Sequence, residues 1–177
     1  MVALTGTPNR VTAVAVAVVL AALPAQAPTA RAEPAQPGAA GVVGDVQAPG
    51  SYTPEALCAL PTRTESVTFR THAGEQSHTY AGPSVEDLVT AARPAPGPDP
   101  EHPNLTVAIV ATGADGYAAT LSWGEVAASS APRPAVLACR EDDAALSAPR
   151  LVVPGDLTGA RYVNDVQTLR VIVLPAR

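Results

Sequence analysis

Residues 64–93, TESVTFRTHAGEQSHTYAGPSVEDLVTAAR, pass from a two-residue hydrophobic period to a helical one. Val67 and Phe69 alternate with Ser66, Thr68 and Arg70, the pattern of a half-buried strand over Thr64–Thr71. Ala73-Gly74-Glu75-Gln76 reads as a turn, and Ser77 to Ala81 as the returning arm of a hairpin. Ser84 then supplies an N-cap, and Asp87, three residues on, completes a capping box. Val85, Leu88, Val89 and Ala92 recur at the spacing of one buried helical face, which Arg93-Pro94 ends. A hairpin followed at once by a helix places the chain in the α+β class.

Working outward, Val42–Val46 reads as a short strand ended by Pro49-Gly50, and Thr53 caps a helical turn from Pro54 to Leu60 that Pro61 stops. Downstream, Pro94–Pro103 carries five prolines and reads as an extended surface loop. Leu105–Ala111 is a continuous apolar run, expected to be a strand buried on both faces. Gly113 to Gly116 turns the chain back into Tyr117–Leu121, and Ser122 with Glu125 caps a helical turn bearing Trp123. Ala135–Cys139 is a strand, Arg140–Ala144 an acidic turn and Arg150–Val153 a further strand. Pro154–Gly159 is a glycine-bounded loop, and Val166–Leu174 closes the domain as a strand. The expected domain is mostly β, with one substantial helix and short helical turns.

Composition narrows the function classes. The 177 residues suffice for one core, and its apolar mass is Ala, Val and Leu, since aromatics make up only 3%. All 11 basic residues are arginine and the net charge is −5, so there is no basic stripe with which to neutralise nucleic-acid phosphates. Arg10 precedes an apolar run from Val11 to Leu23, followed by A-x-A-like sites at Ala25-Gln26-Ala27 and Ala30-Arg31-Ala32. Residues 1–32 therefore read as a secretory signal peptide, 33–41 as a flexible lead-in and 42–177 as a single domain. The apolar run is about 13 residues long where a spanning helix needs about 20, so no membrane span is expected. One arginine before the run leaves the twin-arginine signal absent.

Two cysteines in an exported chain suggest a Cys58–Cys139 disulfide, the alternative being two small buried hydrophobes. The bond would close a loop of about 80 residues, worth about 4.5 kcal/mol in the chain-entropy model. If the hairpin turned about Glu75, His72 and His78 would face each other across the strands and could chelate Cu(II), Ni(II) or Zn(II). An exposed polar hairpin face is the other reading; with no third ligand evident, no metal set is assigned.

Four segments in order carry a family resemblance: Tyr80-Ala81-Gly82-Pro83-Ser84-Val85-Glu86-Asp87-Leu88, Thr112-Gly113-Ala114-Asp115-Gly116-Tyr117, Arg150-Leu151-Val152-Val153-Pro154-Gly155-Asp156 and Gly159-Ala160-Arg161-Tyr162-Val163. Together they resemble the molybdopterin-binding domain of the sulfite-oxidase superfamily, over roughly Val42 to Val173. The resemblance implies that family's compact α+β fold and a pterin site between the Pro154–Arg161 loop and the end of the Thr64–Thr71 strand. His72, Gly155, Gly159 and Arg161 are the cofactor-binding candidates it supplies. In the family's enzymes a cysteine thiolate near the end of the early strand holds molybdenum, a soft ligand for such a metal. Here that stretch reads Thr71-His72-Ala73-Gly74, without cysteine. Basic residues for the pterin phosphate tail are scarce, Arg161 being the best candidate, and a salt bridge from it to Asp156 or Asp165 is the plainer role. Cofactor-loaded enzymes normally fold before export, which a general secretory signal does not serve. The expectation is therefore an exported binding or accessory module with no catalytic residues, no cofactor and an unidentified ligand or protein partner. The alternative is a molybdopterin-dependent oxidoreductase.

Overall fold

The computed structural model describes residues 38–175 apart from Pro96, Pro98 and Pro100. The expected signal peptide, residues 33–37 of the lead-in and those three loop prolines lie outside the described residues.

The described strands form two sheets. The first has the order β2-β1-β9-β5-β6, built from β1 (Ala40–Gly44), β2 (Gly50–Tyr52), β5 (Val107–Gly113), β6 (Ala118–Ser122) and β9 (Val166–Val173). The second has the order β3-β4-β7-β8, built from β3 (Arg63–Thr71), β4 (Gly74–Gly82), β7 (Val136–Glu141) and β8 (Ala144–Val152). Strand β1 runs parallel to β9, so the first and last strands pair inside the first sheet; the other strand pairings are antiparallel. Three short helices complete the fold: α1 (Pro54–Cys58), α2 (Val85–Ala91) and α3 (Trp123–Val126).

The N-caps form as expected at the helix starts, although at α2 the Asp87 carboxylate accepts from the Ser84 hydroxyl and not from the Ser84 backbone N–H as a capping box would. Thr53 Oγ1 accepts the Ala56 N–H, with Pro54 at the first helical position. Ser84 Oγ accepts the Asp87 N–H at 3.0 Å and donates to Asp87 Oδ2 at 2.6 Å, capping α2, whose Val85, Leu88 and Val89 are buried. One apolar cluster draws on both sheets and on α2, joining Ile109, Leu121, Leu169 and Val171 to Leu137, Leu151 and Tyr80.

Several boundaries differ from expectation, and Gly50–Tyr52, where Pro49-Gly50 was expected to end a strand in a turn, forms strand β2. Strand β1 starts at Ala40, inside the expected lead-in, because Ala39 and Ala40 are buried while Gly41 pairs with β9. Strand β5 starts at Val107 and alternates buried with half-buried residues rather than being covered on both faces; Leu105 precedes it and is 63% exposed. Strand β8 runs for nine residues through Pro149, where only Arg150–Val153 was expected. Pro149 falls in the part of β8 between Ala145 and Arg150 that has no partner on β7, where the register shifts, so its missing N–H forfeits no ladder bond. Finally, the β3–β4 hairpin turns at His72-Ala73, with Thr71 opposite Gly74. Gly74 takes φ +112°, a left-handed conformation that glycine adopts at little cost. Thr71 Oγ1 accepts the Ala73 N–H and donates to the Gly74 carbonyl, closing the turn.

Candidate functional site

The loop after β8, from Pro154 to Tyr162, lies against the end of β3, as the resemblance implied. The Arg70 N–H donates to the Leu157 carbonyl at 3.0 Å, and Arg70 bridges Thr158 in parallel. A 3-10 turn, Gly159–Arg161, follows, and the Tyr117 hydroxyl donates to the Ala160 carbonyl, tying the tip of the β5–β6 hairpin to it. Gly155 is required by its backbone, at φ +100° with open space around it. Gly159 is required by packing: a Cβ there would stand 3.0 Å from the Phe69 ring.

Arg161 is engaged on both sides. Its Nε donates to Asp156 Oδ2 at 2.9 Å and its Nη2 to Asp156 Oδ1 at 2.6 Å, a bidentate pair, while Nη1 donates to Glu125 Oε1. Hydrogen bonds to Asp156 and then to Glu125 raise the guanidinium pKa further. Burial pushes the Glu125 carboxyl up, but hydrogen bonds from Arg161 and from Ser122 outweigh it and hold the group below the usual carboxylate range. The Asp156 pairing is the plainer role foreseen for Arg161. The Glu125 pairing was not foreseen; in the sequence Glu125 is legible only as the N3 residue of a capping box, a role it also fills by accepting the Ser122 N–H at 2.8 Å.

His72 occupies the exposed hairpin turn beside Thr71. No hydrogen bond or ion pair among the described residues involves its side chain. The strand register also separates it from His78, which stands opposite Val67, so the expected cross-strand imidazole pair does not form.

A second constellation went unread in the sequence. The inward face of the β3–β4 hairpin brings together Phe69, His78 and Tyr80, and Tyr162 from the loop joins them. The Phe69 and Tyr162 ring centroids are 4.6 Å apart, and Tyr80 meets Tyr162 edge-on at 6.4 Å. Arg150 lies over the Tyr80 ring at 5.3 Å and donates from Nη1 to both Glu141 oxygens, and the Tyr80 hydroxyl donates to Glu141 Oε1 at 2.8 Å. Burial, then donation to Glu141, pushes the Tyr80 hydroxyl well above the ordinary tyrosine range. The Tyr162 hydroxyl is buried without a partner among the described residues; burial, then the Asp156 charge, pushes it up to about 12. The alternation of Val67 and Phe69 predicted the buried face of β3, but only the pairing register brings these rings together.

Cys58 and Cys139 form a disulfide between α1 and β7, with Cα atoms 5.8 Å apart, as expected from their even count; there is no free cysteine. No helix among the described residues is long and apolar enough to cross a membrane.

No family model matches the chain, and no curated protein matches it significantly. Among solved structures it is similar to the sulfane dehydrogenase SoxCD from Paracoccus pantotrophus, with a TM-score of 0.60 and 21% identity. The likeness covers 75% of this chain and 37% of that one, so this chain spans little more than a third of the solved chain's length. The similarity is one of fold, and it supports the resemblance to the sulfite-oxidase-like molybdopterin domain drawn from the sequence.

Proposed function

We propose that the chain is an exported single-domain module that keeps the sulfite-oxidase-like molybdopterin-domain fold but acts by binding a ligand or protein partner, without molybdenum redox chemistry. The observation that carries this reading is the fate of the cysteines. Both are held in one disulfide away from the Thr71–Gly74 stretch, so no thiolate is available as the soft ligand such a metal takes. Arg161 points the same way, because a phosphate tail would have to compete with two carboxylates that already satisfy its guanidinium. Gly159 leaves no free cradle either, since the Phe69 ring fills the space over it. Two of the residues that the resemblance assigns to the pterin, Arg161 and Gly159, therefore do not fit that group.

A disulfide suits an oxidising compartment, in keeping with export. The end of the domain carrying the loop also offers apolar contact surface: Leu157 is 75% exposed and Tyr117, which braces the loop, is 49% exposed. Elemental analysis and pterin fluorescence of protein purified from its native host test the reading. Molybdenum and pterin far below one equivalent are expected, together with an N-terminus cut near Ala27 or Ala32. One equivalent of molybdenum would overturn it in favour of the oxidoreductase.

A further inference from the structure

His78, Glu141 and Asp142 lie outside the Arg161 site and are brought together by the two hairpins of the second sheet. One ligand atom from each lies within 4.8 Å of the others. His78 Nδ1 is 2.8 Å from Asp142 Oδ2 and 3.3 Å from Glu141 Oε1. Tetrahedral zinc bonds of about 2.0–2.2 Å place neighbouring ligand atoms about 3.3–3.6 Å apart, so His78 Nδ1 and Glu141 Oε1 already stand at that spacing and the His78–Asp142 pair has only to open by roughly half an ångström.

We propose that these three side chains form a binding site for a divalent transition-metal ion of the Zn(II) type, which clips the β3–β4 hairpin to the β7–β8 turn. The metal takes the place of the proton that His78 Nδ1 shares with Asp142 Oδ2 in the metal-free protein, and that proton leaves to solvent. An imidazole nitrogen beside carboxylate oxygens suits Zn(II), Ni(II) or Co(II), whereas Ca(II) and Mg(II) take oxygen ligands.

The outer contacts are those of a supported site. Asp142 Oδ1 accepts the Thr79 N–H at 2.8 Å, which leaves Oδ2 aimed at His78. Glu141 is held in place by the Tyr80 hydroxyl, which donates to Oε1, and by Arg150, which donates to both oxygens and balances part of its charge. Access is open: the His78 and Asp142 side chains are 28% and 55% exposed, so water can complete the coordination. The clip would act at one end of the β4–β7 pairing, next to Tyr80 opposite Glu141.

Titration of the chelator-stripped full chain with Zn(II), followed by calorimetry and by thermal unfolding, tests the site. One equivalent should bind and raise the unfolding temperature, while Ca(II) at the same concentration should do neither. His78→Ala and His78→Gln should each weaken binding about tenfold or more. His72→Ala should leave it unchanged, which separates this site from the hairpin tip. Circular dichroism of the metal-free variants shows whether they are folded, and if either is not, the wild-type titration and the other variant decide. Absence of heat and of any thermal shift at millimolar Zn(II), equal binding of Ca(II), or undiminished binding by a folded His78 variant would each overturn the proposal.

Discussion

The Phe69 ring lies so close to Gly159 that a β-carbon there would stand 3.0 Å from its Cδ2 and Cε2 atoms. Phe69 is buried and also packs on Tyr162, so the ring has little room to yield. Gly159→Ala should therefore destabilise the domain by about 1–3 kcal/mol, the range for overpacking a filled interior. Chemical denaturation reads the loss, and Phe69→Leu placed in the same chain should recover part of it.

The Cys58–Cys139 bond joins residues 81 apart in sequence. Closing a loop of that size is worth about 4.5 kcal/mol in the chain-entropy model. Urea unfolding in the presence of reductant should show a loss approaching that value. Thiol titration of the denatured, unreduced protein should find no free thiol; two would show the bond absent.

Glu125 connects stability to pH. Its carboxyl titrates below the ordinary value of 4.5 in the folded chain, chiefly because the Arg161 and Ser122 hydrogen bonds outweigh burial. The folded state therefore prefers the ionised form, so this stabilisation is complete above about pH 4.5 and is lost as pH falls through the lower folded value. Arg161→Met should cost about 1 kcal/mol at neutral pH, a modest figure because the pair is partly exposed to solvent. The variant should also show a shallower decline in acid than the wild type. Equal acid slopes for the two proteins would count against the Glu125–Arg161 linkage.

The β7–β8 turn sets two aspartates in left-handed backbone, Asp142 at φ +47° and Asp143 at φ +63°. Glycine relieves such positions, so Asp143→Gly should stabilise the domain by about 0.5–1 kcal/mol. Asp142→Gly should not, because its carboxylate accepts the Thr79 N–H and the hydrogen bond with His78. Its folded pKa is held down first by the Thr79 N–H and then by His78, contacts that the glycine variant would lack. Thermal unfolding of the two variants separates these effects.

Local chemistry by itself determined much of the chain. Caps at Thr53, Ser84 and Ser122, the alternation of Val67 and Phe69, and the turn at Asp115-Gly116 each depend on neighbours within four residues, so composition and spacing were enough to read them. The even cysteine count indicated the Cys58–Cys139 pair, and four ordered segments indicated the fold. What only the tertiary structure decided is which distant residues meet. The hairpin register turns on Gly74 adopting φ +112°, and that choice moved His78 from the side of His72 to that of Glu141 and Asp142. Pro149 could lie in a strand because the β7–β8 register shifts there and leaves it unpaired, a feature no local pattern records. Arg161 found Asp156 five residues away, which was legible, and Glu125 thirty-six residues away, which was not. Hydrogen bonds within a turn follow from chain geometry, whereas long-range ion pairs and ring clusters follow from how sheets and loops pack.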